Sequence, residues 1–367
     1  PDYSISRNFF LPNFEGSFGA SSSGNHTINN TNISSSSIGN SLSYSSLELF
    51  TDSGIVSEYN INFTNSNTMS DNSLKYKNTP QSEFLSAYFF DVKFPLQKKT
   101  KDRQNTLMPK LNFRISPHDM KKNANTSAVV NIGNVFSTNR IGMIETGESL
   151  TLGVDFKKQK INQVSKIENQ LKEDSTFKKE MITEIEDYID FSLATVFRFN
   201  KEENIPINST INEKTSNIFG SANYKPNKNI SLGYNFSLTN DLNILEQNYI
   251  SAEYLSENFS TTFNFSEEAG ILGDSNVISN VTKLIDFKDY HNLSFSTRRN
   301  RKINLTEYYD IIYQYKNDCL VAEIKYRKDY YSDNDLIPKE ELFFAITIVP
   351  FYTFSPDKMI LNKDRTD

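Results

Sequence analysis

Few residues in this chain have types and spacing suited to chemistry. The three histidines, His26, His118 and His291, stand far apart in sequence, and the single cysteine, Cys319, has no second cysteine with which to close an internal disulfide. No H-x-x-x-H, C-x-x-C, G-x-S-x-G or glycine-rich phosphate loop occurs, so no metal centre, cofactor or catalytic nucleophile is expected and the chain does not read as an enzyme. The densest cationic run is Arg298, Arg299, Arg301 and Lys302. Guanidinium forks bind phosphate oxygens bidentately, so the run reads either as a phosphate contact or as a solvated connection between strands. Asn139-Arg140, within Phe136 to Glu145, is a further polar candidate that on its own reads as an ordinary extracellular loop.

The elements that would position these residues follow from composition and periodicity. The 367 residues are 37% apolar and 13% aromatic, from 28 Phe and 19 Tyr with no Trp. That is too aromatic for disorder and rather polar for a large dry core. A net charge of -6 gives no basic footprint, so no nucleic-acid partner is expected. No stretch reaches the roughly 18 to 20 apolar residues that a membrane-spanning helix requires. Strands are a different matter. Ile230, Leu232, Tyr234, Phe236 and Leu238 alternate with Ser231, Gly233, Asn235 and Ser237, the mark of a strand with one greasy and one wet face. Phe259 to Ser266 repeats it, as do Phe84 to Phe94, Leu111 to Ile115, Leu150 to Phe156, Ile189 to Phe199, Ile303 to Tyr315, Leu320 to Tyr330 and Leu342 to Ile348. About sixteen such segments fit the roughly ten residues of a tilted membrane strand.

Short turns at Pro226 to Lys228, Ser256 to Asn258, Asp286 to Asp289 and Lys316 to Asp318 alternate with longer connections such as Thr239 to Asn243 and Tyr331 to Lys339. Short turns on one rim and long loops on the other are the pattern of an antiparallel outer-membrane barrel, with the short turns in the periplasm. The expected fold is therefore all-β, a transmembrane β-barrel. Residues 1–156 supply strands with long polar loops, and 157–187 form a charged helical insertion in a periplasmic turn. Residues 188–351 supply the C-terminal strands, and 352–367 a tail. The helical reading rests on Ile161, Val164, Ile167 and Leu171, then Met181, Ile182 and Ile185, at helical spacing. Cys319 opens a strand after the turn Lys316 to Asp318 and by alternation points inward, as a small buried thiol. The opening Pro1-Asp2-Tyr3 lacks an initiator Met and a signal-like series, so the chain is expected to be a portion of a longer protein.

The order of motifs carries a resemblance. Leu107-Met108-Pro109-Lys110-Leu111-Asn112-Phe113-Arg114 precedes Phe136-Ser137-Thr138-Asn139-Arg140-Ile141-Gly142 and Gly147-Glu148-Ser149-Leu150-Thr151-Leu152-Gly153. Asn304-Leu305-Thr306-Glu307-Tyr308-Tyr309-Asp310, Asn317-Asp318-Cys319 and Phe343-Phe344-Ala345-Ile346-Thr347-Ile348-Val349-Pro350-Phe351 complete it. Together these resemble the C-terminal barrel of the lipopolysaccharide-assembly outer-membrane protein family (LptD, or OstA), particularly its marine alphaproteobacterial members, over most of the chain.

That resemblance implies part of a larger barrel, of roughly 26 strands in the family, whose remaining strands and periplasmic N-terminal domain lie outside this chain. It implies integral location in the outer membrane, surrounded by outer-membrane lipid. It implies a translocon that takes lipopolysaccharide from a periplasmic LptA-like bridge through the N-terminal domain, with an LptE-like lipoprotein plugging the lumen. The glycolipid would leave through a seam between first and last strands. Glu341, Leu342, Phe343, Phe344, Ala345, Ile346, Thr347, Ile348 and Pro350 would form one side of that seam, with Pro350, which lacks an amide hydrogen, either ending the strand or weakening the seam. Arg298, Arg299, Arg301 and Lys302 would meet lipid phosphates, and Asn139-Arg140 would sit on a lumenal loop. Cys319 would pair with a cysteine near the mature N-terminus, although many relatives carry two adjacent cysteines where this chain has Cys319 followed by Leu320. The competing reading of the same strands is a passive porin or substrate-specific channel.

Overall fold

Alternation of apolar and polar residues, with β-branched and aromatic side chains in the apolar positions, leaves almost no alternative to strands. The computed structural model describes residues 1–11, 15–29, 32–73, 75–119, 128–167, 179–286, 290–330, 339–349, 352–354 and 359–360. The N-terminal strands are β1 (Asp2–Phe9), β2 (Ser17–Asn29), β3 (Ile33–Ser45), β4 (Leu49–Phe50), β5 (Val56–Asp71), β6 (Gln81–Lys93), β7 (Leu96–Lys99) and β8 (Arg103–Ser116). Two long strands follow, β9 (Gly147–Ile167) and β10 (Lys179–Arg198), then β11 (Ile218–Asn227) and β12 (Ile230–Leu238). The series continues with β13 (Leu245–Leu255), β14 (Phe259–Glu268), β15 (Ser275–Leu284), β16 (His291–Asn300), β17 (Leu305–Lys316), β18 (Leu320–Asp329) and β19 (Lys339–Ile348). Two short segments close it, β20 (Tyr352–Phe354) and β21 (Met359–Ile360). The fold is all-β, one antiparallel sheet of β-barrel type, with sequential strands paired as neighbours. Among the described residues there is no α-helix, only two single turns of 3-10 helix at Ile207–Ser209 and Gly270–Leu272.

The charged helical insertion expected at 157–187 is corrected. Its described ends are strand, up to Ile167 in β9 and from Lys179 in β10, while 168–178 lie outside the described residues. Ile161, Val164 and Ile167 fit a helical spacing, but all three are β-branched, stiff at χ1 and suited to a pleated surface. Pairing of β9 with β10, and the bond from Gln159 Nε2 to Asp187 Oδ1 at 2.7 Å, supply the ladder that a charged helix would have lacked.

Contacts divide the chain into two compact units, Pro1–Lys157 with Ser192–Gly220, and Lys158–Phe191 with Ser221–Asp367. In the first, the core gathers Val130, Val135 and Ile141 from the β8–β9 connection, Ala194 and Val196 from β10, Ile205 and Ile211 from the β10–β11 connection, and Phe219 from β11. In the second, the turns show why the strands reverse where they do. Asn227 Oδ1 accepts from the amides of Asn229 and Ile230, and Asn317 Oδ1 accepts from those of Cys319 and Leu320. Each asparagine thereby replaces the backbone acceptor that a tight turn removes.

Burial along the strands is inverted relative to a water-soluble sheet. In β8, Asn112, Arg114 and Ser116 are buried and alternate with Phe113 and Ile115, which are not. In β10, Arg198 is buried between exposed Phe197 and Phe199, and in β12 Ser237 is 1% exposed while Leu232 is 43% exposed. Phe84, Tyr88, Phe90, Ile250, Phe263, Ile311, Ile324 and Phe344 are all exposed large apolar residues on strands.

Candidate functional site

The most elaborate polar constellation lies where the β8–β9 connection crosses the polar face of its own strands. Period two puts Arg114 of β8 and Ser149 and Thr151 of β9 on the covered face. Phe136 reaches back over Gly153, where an added Cβ would come within 2.6 Å of the ring and 2.9 Å of Leu193 O, so glycine makes the seat. This docking brings Arg140 and Glu145 under the loop. Arg140 Nε donates to Glu145 Oε2 at 2.9 Å and its Nη2 donates to Oε1. Its remaining hydrogens go to Val135 O and Thr151 Oγ1, each at 3.0 Å, and to Ser149 Oγ at 3.1 Å.

Two further arginines converge on the same carboxylate. Arg114 Nη1 stands 3.1 Å from Glu145 Oε2 and Arg198 Nη1 3.2 Å from Oε1. The first is a charge contact without hydrogen-bond alignment, and Arg114 Nε, Arg114 Nη1 and Arg198 Nε are buried with no hydrogen-bond partner among the described residues. Arg114 is anchored by Ser137 O at 2.7 Å, with its guanidinium 4.6 Å over the Phe89 ring. Glu145 is fully buried. Burial alone would raise its carboxyl, but the charges of Arg114 and Arg140, the hydrogen bond from Arg140 and the charge of Arg198 overcome that and hold it well below the usual carboxylate range. A carboxylate locked in this way is no proton donor or acceptor for catalysis. It pins a loop.

Of the two loop residues singled out by sequence, Arg140 is central to this cluster, whereas Asn139 lies outside it and lines a cavity of about 560 Å³ with Thr138, Gly142, Met143 and Ile144. The opposite wall is Ser41, Leu42, Ser43, Asn62, Thr64 and Ser66, with Glu83 and Leu85 of β6. Its hydroxyl and amide residues belong to three rows that carry no charge across β1, β2, β3 and β5, Ser4–Ser23–Gly39–Ser66, Ser6–Ser21–Ser41–Thr64 and Asn8–Gly19–Ser43–Asn62, the first of which meets Glu83 on β6.

The polar face of β16 to β19 is of another kind. Ser296, Asp310, Arg327 and Glu341 share one row. Asp310 Oδ2 is 3.6 Å from Arg327 Nη1 and 3.9 Å from Lys325 Nζ, and Arg327 Nε donates to Asp329 Oδ1 at 2.8 Å. A second cavity, about 540 Å³, is lined here by Glu323, Lys325, Arg327, Asp329, Lys339, Glu341 and Phe343. The expected basic run stands at the end of this region. Arg298 and Arg299 belong to β16 and Arg301 and Lys302 to the following turn, with Arg298 Nε 2.7 Å from Glu307 Oε2, Arg299 bonded to Asn304 and Lys302 paired with Asp274. Three of the four therefore already have partners on the protein, and the run is less available to phosphate than its sequence implies.

Cys319 is a free, exposed thiol in the turn before β18, its amide held by Asn317 Oδ1 at 3.0 Å and its carbonyl accepting from Val349 N at 2.9 Å. The buried-thiol reading is thus replaced by an accessible one, because the residue belongs to the Asn317 turn and not to the strand. Glu341 to Ile348 form most of β19, and Pro350 lies outside the described residues. His26 Nδ1 is 2.8 Å from Ser36 Oγ, His291 Nδ1 is 2.6 Å from Tyr313 OH, and His118 meets the Phe84 ring edge-on. Among the described residues no group of three or more His, Cys, Asp or Glu is placed to hold a metal ion.

Sequence reading missed Arg114, Glu145 and Arg198. Arg114 lies 31 positions and Arg198 53 positions from Glu145, so nothing local links them. The one available signal was an arginine at the polar position of an otherwise apolar strand, in Leu111-Asn112-Phe113-Arg114-Ile115 and again in Phe197-Arg198-Phe199.

No family model matches the chain, and no curated protein matches it. The chain is similar to a solved structure described as "Asymmetric conductivity of engineered proteins", at 9% identity and a TM-score of 0.30, over 89% of this chain and 95% of that one.

Proposed function

We propose that this chain is wall and loop of an integral outer-membrane β-barrel that inserts lipopolysaccharide into the outer leaflet through its lumen and a lateral seam. The observation that carries the membrane reading is the inverted burial. Arg114, Asn112, Ser237 and Glu246 are buried while Phe84, Leu232, Phe263 and Phe344 are exposed, and exposed aromatics at that density are stable against hydrocarbon and not against water. The glycolipid cargo is supported by the order of motifs that resembles the lipopolysaccharide-assembly family. Two features of the polar faces suit it: uncharged hydroxyl and amide rows fit sugars, and the acid-base ladder around Asp310 and Arg327 fits charged groups. In this reading outer-membrane lipid surrounds the strands, and the partners are an LptE-like lipoprotein plug and an LptA-like periplasmic bridge docked on the protein's N-terminal domain. Cys319, exposed at a turn, is accessible to a cysteine on such a domain.

Depletion of the protein in its native host tests the cargo. Lipopolysaccharide should vanish from the cell surface and accumulate behind it, measured by labelling of surface glycolipid in intact cells. Normal surface glycolipid together with reduced uptake of small solutes would replace the translocon by a passive channel.

A further inference from the structure

The polar face of β18 carries Glu323, Lys325, Arg327 and Asp329 at every second position, about 7 Å apart along the strand. β19 sets Phe343, Glu341 and Lys339 opposite Lys325, Arg327 and Asp329. Together they line the cavity of about 540 Å³, whose wall therefore holds three carboxylates and three cations and is neutral as a whole. These charges are only partly matched to one another. Arg327 is held, with its Nε 2.8 and 2.9 Å from the two oxygens of Asp329. Lys325 Nζ stands 3.9 Å from Asp310 Oδ2, a charge contact too long for a hydrogen bond. Glu323 Oε2 accepts from Gln314 Nε2 at 3.2 Å, and no cation lies within ion-pair distance of it among the described residues. A half-buried ammonium and a half-buried carboxylate thus stand two residues apart on one face without pairing with each other.

We propose that this cavity is a subsite for a phosphate ester that carries an amine two carbons away, a phosphoethanolamine group. A lone anion here would face Glu323, Asp329 and Glu341, and a lone amine would face Lys325, Arg327 and Lys339, so neither half by itself suits the wall. A ligand of both signs suits it. The phosphate takes hydrogens from Lys325 Nζ and from the guanidinium of Arg327, about a third of whose side chain is exposed. The amine donates to Glu323, one step along the same face, and the methylenes between lie against Phe343. Opposite charges on this wall recur at about 5 Å across the strands and about 7 Å along them, a spacing that a two-carbon bridge spans once the long side chains close in. The inference goes beyond the translocon reading and does not need it, because a passive channel with this face would hold the same group.

The test uses the full-length protein in maltoside micelles, with O-phosphoethanolamine, inorganic phosphate and ethanolamine as separate probes at equal ionic strength, followed by calorimetry. The ester should bind on the order of tenfold more tightly than either half, the equivalent of one added charge-assisted hydrogen bond. Added salt should weaken it. Glu323→Gln should abolish the preference for the ester and leave phosphate binding as it was, whereas Lys325→Gln should weaken ester and phosphate alike. The comparison of three probes on the unaltered protein needs no variant to fold. Phosphate bound as tightly as the ester would reduce the cavity to a basic patch, and no saturable binding of any probe would make it a solvated ladder. Either result overturns the subsite. If it stands, displacement of the bound ester by a short-chain phosphatidylethanolamine marks a lipid headgroup as the source, and binding of the free ester alone marks a soluble solute. Lipopolysaccharide delivery is not read in this titration, so failure of the depletion experiment leaves the subsite untouched, and failure of the titration leaves the translocon reading untouched.

Discussion

Arginines are held in two opposite ways in this molecule. Beneath the β8–β9 connection Arg114, Arg140 and Arg198 are buried around the fully enclosed Glu145. On β18, Arg327 keeps about a third of its side chain in the open, pairs with Asp329 and shares Asp310 with Lys325 in a ladder of alternating sign. The same residue type is scaffold in one region and open surface in the other. What decides is the loop. Where Phe136 is seated on Gly153 and Val135 and Ile141 enter the core, water is excluded and every charge must find its partner on the protein. Around Asp310 the cations are less enclosed, Arg327 and Lys325 each keeping about a third of the side chain exposed.

The sharpest way to break this comparison is at Glu145. Glu145→Gln removes the one carboxylate that three buried guanidinium groups share, and removal of one partner of a buried ion pair costs about 3 to 5 kcal/mol. The loss should be visible as a lower urea midpoint of the refolded protein and as new protease cleavage in the β8–β9 connection. The pH dependence carries the same signature. Because the folded carboxyl is held below its ordinary value, its contribution is complete above the unfolded pKa of about 4.3 and disappears as pH falls through the folded value. Wild-type protein should therefore lose stability toward strong acid with a steeper slope than Glu145→Gln. Identical acid limbs would mean that the cluster is not what holds the loop.

Next in size is the face that the membrane reading sets against lipid. Tyr234 and Asn235 are neighbours on β12 and point to opposite faces. Tyr234→Arg should cost about 2 to 4 kcal/mol in a bilayer refolding titration, and Asn235→Arg much less. Equal costs would remove the membrane assignment from this region.

The smallest effects belong to the open ladders. Asp310→Asn removes a largely buried carboxylate that the partly exposed Arg327 and Lys325 share, and Arg298→Ala breaks a pair with Glu307 of which both members are partly exposed. Each should change stability by about 1 kcal/mol or less, and by less still at high salt. A loss as large as that of Glu145→Gln would mean that the ladder is scaffold too, and the contrast between the two regions would fail.

Much of this architecture was legible in the sequence because a strand's period is local. The alternation from Ile230 to Leu238 and from Phe259 to Ser266 became β12 and β14, and the turns at Asn227 and Asn317 fell at their asparagines. Ile161, Val164 and Ile167 misled because a spacing of three matches a helical face, while their β-branched side chains, the signal for a strand, were outweighed by it. Arg140 drew notice through its motif, yet its partners at 114, 145 and 198 meet only after the loop has docked. The pairing of β20 and β21 with β19 is a non-local contact that no local period in the tail announces.

One feature of the N-terminal strands bears on motion. Ser6, Ser21, Ser41 and Thr64 form one of three adjacent rows without a charge, and Ser21 and Ser41 already share a hydrogen bond at 2.9 Å. A hydroxyl in such a row can trade a neighbour for a water or for the hydroxyl of a solute at nearly equal enthalpy, so one step along the row costs about as much as the next. For a polyhydroxylated solute such a row is nearly level from β1 to β5, and the first charge it would meet is Glu83 on β6, beside Ser66. A row of this kind would set the speed of passage by viscosity rather than by affinity.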